Sequence, residues 1–505
     1  MIYMSLLNMN TRITITEEYA YNDVLIKPKY SNIKSRNDTD LSMQLTPNIK
    51  LTFPIISSNM DTITEDSMAI AMAKFGGMGI IHRYCSILEQ ANMVKNVKRY
   101  TNHIISKPWS ISSTESIVNA IELIKNKKVG SLLVSDQSFL VGILTRRDIN
   151  SYILNKPITK LLTESKLESK LESELESQFL VKHFMTPLHN LIAHTIDDIQ
   201  EVININDTIL LDLCLDHKIE QIPLVNKDNK ILGLITLKDI IYRKQLENSG
   251  FNLDNNQQLV VGAAVGVVGD YLNRTSALVE AGVNIICIDI AHGHHRICTN
   301  AIQKIKEKYP DIEIIAGNVC TKEGVEYLAD AGANSIKIGI GPGSICTTRK
   351  QTGCGRPQLS AIIECAEMAI KKGVTIIADG GHNGKTGNIF KAFCAGSSAS
   401  MLGGGLSGTT ETPGEILLKD NKKVKMIRGM AGIISNYKKN LKLDNINTKS
   451  IQNMTPEGVE SYIEYKGRVK DVLTQIEGGL RSGLSYVGCR TLEGVKHIPI
   501  EFIKI

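Results

Sequence analysis

Residues 313–340, EIIAGNVCTKEGVEYLADAGANSIKIGI, decide the fold. Two short apolar runs, Glu313–Val319 and Ser335–Ile340, flank a helical stretch, Thr321–Ala331. Runs of this kind read as parallel strands buried on both faces. Working outward, six more such runs appear: Pro54–Ser58, Met78–His82, Leu259–Val265, Asn284–Ile290, Thr375–Asp379 and Ser400–Gly403. Most lead through a glycine-rich or polar turn into a helical stretch, and Leu359–Lys372 is the helix ahead of Thr375. Eight β/α units in one chain predict an α/β fold closed as a (β/α)8 TIM barrel.

Polar residues gather just after these strands. They include Ser57–Asp61, His82-Arg83, Asp289–His292, Gly317-Asn318, Gly339–Thr348, Asp379–Gly381 and Gly403–Gly405. The C-terminal ends of barrel strands form the active face of such folds. So many polar motifs on one face point to an enzyme rather than a scaffold.

The unit spacing breaks between the second and third strands, where residues 105–247 carry a repeat of their own. Ser131–Val134 leads to Gly142–Asp148, and Ile222–Val225 leads to Gly233–Asp239, with a constant gap between matching positions. This is a duplicated β-β-α unit. The expected domains are therefore a barrel from 1–104 with 248–505 and an insert at 105–247. A Leu/Glu/Ser/Lys-rich run at 163–177 reads as a solvated linker between the two copies.

Composition narrows the function classes. The chain has 505 residues, 42% hydrophobic and 22% charged, which suits more than one globular core. No apolar run approaches the roughly 18–20 residues of a membrane span. Met1–Glu17 is mixed and polar and does not read as a signal peptide. Ten cysteines without a CxxC pair fit a reducing, cytoplasmic setting better than a disulfide frame or a structural zinc site. A net charge of +6 over this length suits phosphorylated small molecules. No basic stripe interleaved with aromatics suggests nucleic acid as a partner.

At Asn59–Thr62, Asp289–Gly293, Ala316–Val319, Gly339–Thr348, Ala378–Gly381 and Gly478–Ser482 the chain resembles the family of inosine monophosphate dehydrogenase and GMP reductase. With their flanking helices these segments cover nearly all of 15–100 and 255–505. The insert resembles a pair of CBS (Bateman) repeats. Cys346 sits in a loop of Gly341, Gly343, Ser344, Thr347 and Thr348, which are not core residues. It reads as a nucleophile whose thiolate attacks C2 of a purine monophosphate, splitting one hard substitution into two easier steps. The resemblance implies a phosphate site at Ser344, Gly381, Gly403 and Gly404. It implies ribose binding at Asp379, and further substrate contacts at Met60, Gly429 and Met430. It places the nicotinamide cofactor at Asp289, Asn318 and Gly339. Carbonyls of Gly341, Gly343 and Cys346 would line a potassium site.

Two activities share this chemistry. The dehydrogenase oxidises IMP with NAD and hydrolyses the adduct, using an Arg–Tyr pair on a flap. The reductase expels ammonia from GMP and takes a hydride from NADPH. Here no arginine lies between Gly429 and Lys466. What remains is Thr348 with Glu457, which resembles the reductase pair that handles the ammonia proton. GMP reductase is therefore the expectation, with IMP dehydrogenase as the alternative. A catalytically dead nucleotide sensor is a third reading, and the intact Cys346, Thr348 and Asp379 speak against it. In the insert, Thr145, Asp148, Thr236 and Asp239 match the repeats' pattern for a regulatory purine nucleotide, ATP or GTP. The resemblance also implies a homotetramer or octamer.

Overall fold

A computed structural model describes residues 13–101, 104–105, 108–127, 129–155, 179–196, 207–246, 250–430 and 459–505. The chain divides into two compact units, 1–101 with 250–505, and 102–249. The first unit is built on eight strands: β1 (Ile55–Ser57), β2 (Met78–Ile81), β3 (Val261–Val265), β4 (Ile285–Ile288), β5 (Glu313–Val319), β6 (Ser335–Ile338), β7 (Thr375–Asp379) and β8 (Ala399–Leu402). They pair in parallel in the order β3-β4-β5-β6-β7-β8-β1-β2 and close where β2 meets β3, with Ile80 opposite Gly262. Helices follow them: α1 (Asp66–Lys74), α2 (Ile87–Arg99), α3 (Tyr271–Glu280), α4 (Arg296–Lys308), α5 (Lys322–Asp330), α6 (Gln358–Lys372), α7 (Thr386–Cys394) and α8 (Val469–Val487). This is the (β/α)8 barrel read from the eight apolar runs.

Side-chain alternation explains why those runs are apolar throughout. On β4, Ile285 and Cys287 join the inner core, while Ile286 and Ile288 pack outward under the helices. On β7, Ile377 points in and Ile376 and Ala378 point out. Each fully buried aliphatic side chain contributes about 1.5–3 kcal/mol, so a strand buried on both faces cannot carry an ordinary polar face. The N-terminal end of the barrel is stopped by a hairpin of strands Met43–Thr46 and Ile49–Leu51. Leu45, Ile49 and Leu51 belong to the inner core. The hairpin is pinned by Glu313, whose carboxylate accepts from the Asn48 amide at 3.0 Å and from the Thr46 hydroxyl.

Several strands stop a residue or two short of the apolar run that announced them. Asp289-Ile290 and Gly339-Ile340 lie beyond β4 and β6. At Gly339 the φ is +147°, and a Cβ there would collide with the carbonyl of Asp379. The glycine lets the chain leave the sheet and turn over the barrel mouth.

The end of α2 is tied to the approach to β3. Lys98 Nζ donates to Asp254 Oδ2 at 2.7 Å and to the carbonyl of Leu259 at 3.1 Å. Burial lowers the lysine's pKa, and the Asp254 carboxylate opposes that drop.

The second unit holds two β-β-α copies. Strands Ser131–Asp136 and Phe139–Thr145 precede helix Arg146–Asn155, and strands Gln221–Val225 and Ile231–Thr236 precede helix Leu237–Leu246. Each copy sits in a four-stranded sheet, and Leu133, Leu140, Ile143, Val225 and Leu234 form a small shared core. Both helices open on a reciprocal cap. Thr145 Oγ1 donates to Asp148 Oδ2 at 2.8 Å, and Thr236 Oγ1 donates to Asp239 Oδ2 at 2.5 Å. The amides of Asp148 and Asp239 return bonds to the two threonine hydroxyls. Thr236→Ala is expected to weaken this helix start by about 1 kcal/mol. Amide hydrogen exchange over Leu237–Leu246 reads that loss, and unchanged protection would show that the cap contributes nothing. The run at 163–177 lies outside the described residues. Among the described residues no helix is long and apolar enough to cross a membrane.

Candidate active site

Loops at the C-terminal ends of the strands surround two cavities that share Ser58, Met60, Gly343, Ile345, Asp379 and Gly380. The larger, about 720 Å³, is walled by the glycine turns after β7 and β8. The smaller, about 410 Å³, opens between the loops after β1, β2, β4 and β6. A volume of this size suits a small-molecule ligand of about nucleotide size.

Cys346 lines the smaller cavity, half-buried, on the turn between β6 and a short helix, Thr348–Thr352. Its Sγ lies 3.2 Å from Thr348 Oγ1. The turn is held from behind. The Cys346 amide donates to the Gly343 carbonyl at 3.1 Å, and Arg349 Nε donates to the Ile340 carbonyl at 3.1 Å. Arg349 also bonds the carbonyl of Arg356, whose guanidinium pairs with Glu18 at 2.9 Å and Glu364 at 2.6 Å. Such bracing fixes the side chain on a glycine-rich turn, because glycine by itself leaves the backbone free.

Charge runs across the cavity floor as an alternating row. Arg83 Nε pairs with Asp289 Oδ2 at 2.8 Å, and Lys337 Nζ pairs with Asp379 Oδ2 at 3.5 Å. Burial raises the pKa of Asp289, but Arg83 and Lys337 outweigh it and hold the carboxylate below its ordinary range. Burial likewise pulls Lys337 down, while Cys287, Asp379 and Asp289 push harder and leave it raised. Asn318 Nδ2 bridges the Gly339 carbonyl at 2.9 Å and Asp379 Oδ2 at 2.8 Å. Asn318 thus sits against Asp379, and its backbone amide donates to the carbonyl of Ile290, next to Asp289, at 3.2 Å.

The glycine turns make the other end. Gly380 and Gly381 have φ of +83° and +81°, and a Cβ on Gly404 would press on Ser344 Oγ at 3.0 Å. Within the described residues, the amides of Gly381, Gly404 and Gly405 donate no hydrogen bond to another group. Lys466 fronts the same cavity, its Nζ 3.3 Å from the Gly404 carbonyl and 3.2 Å from that of Gly405. Backbone amides and a cation facing an open volume suit a phosphate.

Of the residues read from sequence, Cys346, Thr348, Asp289, Asn318, Gly339 and Gly341 line the smaller cavity, as do Gly429 and Met430. Ser344, Gly381, Gly403 and Gly404 line the larger, and Met60, Gly343 and Asp379 line both. Glu457 lies outside the described residues. Thr145, Asp148, Thr236 and Asp239 lie in the other unit, each threonine bonded to its own aspartate. Thr236 also edges a cavity of about 350 Å³ with Glu220 and Lys238. Of the histidines after Asp289, His295 caps α4, its Nδ1 accepting from the Ile297 amide at 3.1 Å. Sequence reading missed Lys337 and Lys466, and it placed Arg83 and Asp61 in the polar clusters after the strands without giving either a role. Asp61 holds the Arg428 guanidinium in a buried pair, with Nε to Oδ2 at 2.8 Å. The signal for Lys337 was present: it alternates with Ile336 and Ile338, which face outward, so it faces in.

A family model described as IMP dehydrogenase / GMP reductase domain matches residues 18–505. An inosine-5'-monophosphate dehydrogenase of Nitrosopumilus maritimus is 40% identical over 492 residues, covering 97% of this chain and 96% of its own. A GMP reductase of Leishmania major is 39% identical over 493 residues, covering 95% and 93%. A crystal structure of GMP reductase from Trypanosoma brucei in complex with guanosine 5'-monophosphate superposes with a TM-score of 0.82 at 38% identity. That likeness covers 99% of this chain and 97% of the other.

Proposed function

The chain belongs to the IMP dehydrogenase / GMP reductase family of oxidoreductases, and from that premise we propose that it is an NADPH-dependent GMP reductase. The observation that carries the proposal is the Cys346 Sγ–Thr348 Oγ1 contact of 3.2 Å at the cavity wall. In this reading the Cys346 sulfur bonds to C2 of GMP and the C2–amine bond breaks. The thiol proton passes through the Thr348 hydroxyl to the departing amine, which leaves as ammonia. Glu457 serves as the second member of that relay. When bound, the dihydronicotinamide supplies a hydride. C2 gains it as the carbon–sulfur bond breaks, the sulfur recovers a proton, and IMP is released.

Asp379 binds the substrate ribose, the glycine turns bind its phosphate, and Met60, Gly429 and Met430 border the base. Asp289, with Asn318 and Gly339, is assigned to the nicotinamide ribose. Its carboxylate lines the smaller cavity and is kept ionised by Arg83, which fits a hydroxyl-accepting role. The carbonyls of Gly341, Gly343 and Cys346 come from one turn and form an all-oxygen set suited to potassium. A cation there would hold the Cys346 turn.

The choice of reductase rests on what water activation would need. No arginine lies between Gly429 and Lys466, and Arg428 is locked onto Asp61. A guanidinium so held cannot serve as a mobile base. The similarity to dehydrogenases at 40% identity favours the second reading, oxidation of IMP with NAD. An absorbance assay separates the two. Loss of NADPH signal with GMP supports the reductase, and NADH formation from IMP and NAD overturns it. Thr348→Ala is expected to lower kcat by roughly 10²–10⁴-fold with little change in KM for GMP. An unchanged kcat would remove the hydroxyl from the relay.

For residues 105–247 we propose a Bateman-type regulatory pair that takes ATP or GTP at Thr145, Asp148, Thr236 and Asp239, in a homotetramer or octamer. The caps described above occupy the threonine hydroxyls, so the nucleotide would have to share or displace those bonds. Removing 105–247 and finding the nucleotide response unchanged would refute this role.

A further inference from the structure

We propose that Asp61 is a positioning residue for the purine: through Arg428 it fixes the base-bordering residues Gly429 and Met430 in register with the Cys346 sulfur. The inference rests on reading the cavity beside Cys346 as the base end of the nucleotide site. Gly429 and Met430 line that cavity with Cys346 and Thr348. They follow the strand Lys422–Arg428, whose last residue is tied down twice. The Arg428 guanidinium grips the Asp61 carboxylate, with Nε 3.0 Å from Oδ1 and 2.8 Å from Oδ2 and a terminal nitrogen on Oδ2. The Arg428 amide donates to Thr62 Oγ1 at 3.4 Å. Arg428 and Asp61 are both buried, at 8% and 9% exposure.

The next two residues are held from three sides. Tyr84 Oη donates to the Met430 carbonyl at 2.9 Å, and the Asp61 amide donates to the Met430 sulfur at 3.4 Å. Burial pushes the Tyr84 phenol up to about 12, so it stays a donor at neutral pH. The Gly429 amide donates to the Val459 carbonyl at 3.0 Å. The Val459 amide in turn donates to the carbonyl of Ile345 at 3.2 Å, one residue before the nucleophile. Base wall and nucleophile turn are thus one hydrogen-bonded assembly, and the loops after β1 and β2 set where it sits. A buried ion pair contributes little net stability over apolar packing, because both charges lose their water. What it does supply is direction, since the planar donor array of a guanidinium fits a carboxylate in few orientations. Attack on a ring carbon demands such precision, because sulfur and carbon must be held about 3–3.5 Å apart and aligned.

The test compares GMP with ribose 5-phosphate, which lacks the base, by equilibrium binding to the full-length protein. Asp61→Asn, Arg428→Gln and the double variant are set beside the unaltered chain. Each single variant is expected to bind GMP about 10-fold more weakly and ribose 5-phosphate as before, and to lose kcat by about 10-fold. The double variant should be no worse than either single one, because Asp61 acts through Arg428. Equal weakening toward both ligands, no weakening toward GMP, or losses that add in the double variant overturn the positioning role. If the unaltered protein binds GMP no better than ribose 5-phosphate, the base-end reading fails as well. Should the buried changes not fold, Tyr84→Phe removes only the hydroxyl held on Met430. It should show the same loss, confined to GMP and on a smaller scale, and unchanged GMP binding and turnover there overturn the proposal.

Discussion

Cys346→Ala is expected to reduce turnover by roughly 10⁵-fold while leaving nucleotide binding nearly intact. The sulfur forms the bond that defines the mechanism, and no other described thiol lines either cavity. Cys287, inside the barrel, has its pKa pushed up to about 12 by burial and stays an inert thiol at neutral pH. Calorimetric titration with GMP checks binding, and NADPH oxidation under single-turnover conditions checks chemistry. Mass spectrometry of the unaltered enzyme with GMP should reveal an adduct at Cys346. Turnover surviving in the alanine variant would refute covalent catalysis.

Asp379→Ala has the second largest expected effect, and it acts twice. The variant loses the proposed ribose acceptor, raising KM for the nucleotide by about 100-fold. It also strands Lys337, which is 4% exposed and pairs with Asp379 at 3.5 Å. Breaking a buried pair from one side costs about 3–5 kcal/mol. Thermal melting should show the loss. The double change Asp379→Ala with Lys337→Met separates the two effects, because removing the stranded charge should restore much of the stability and none of the affinity. A single variant with unaltered melting would show that Lys337 finds another partner, and recovered affinity in the double variant would dismiss the ribose role.

The barrel was legible because its physics is local. A strand buried on both faces is mostly apolar, and at Gly339 a glycine lets the chain leave the sheet and turn over the mouth. The polar clusters after those runs therefore named most of the cavity lining. What stayed hidden depends on distance across the fold. Lys337 looks like a stray lysine until Asp379, a strand away, is seen beside it, and Arg83 gains meaning only beside Asp289. Lys466 was legible only as a lysine after the flap, since its link to the Gly404 turn is tertiary. The Thr-x-x-Asp pattern in the insert has a second local use as a helix cap, so spacing by itself could not separate binding from capping. Glu457 lies outside the described residues, and its role rests on the family resemblance.

The lysine clamp at the close of α2 bears on how this architecture tolerates change. The polypeptide leaves the barrel just past Lys98 and comes back to a segment that the same ammonium grips. Departure and return are thus fastened together by the barrel itself, and the excursion between them is a closed side loop. Doubling a flexible loop costs only about 0.6 kcal/mol, so the stability of the barrel depends little on the length of what hangs there. A module could be grafted, exchanged or lost at this seam without disturbing the eight-strand closure, whereas severing the ammonium's grip would loosen both ends at once.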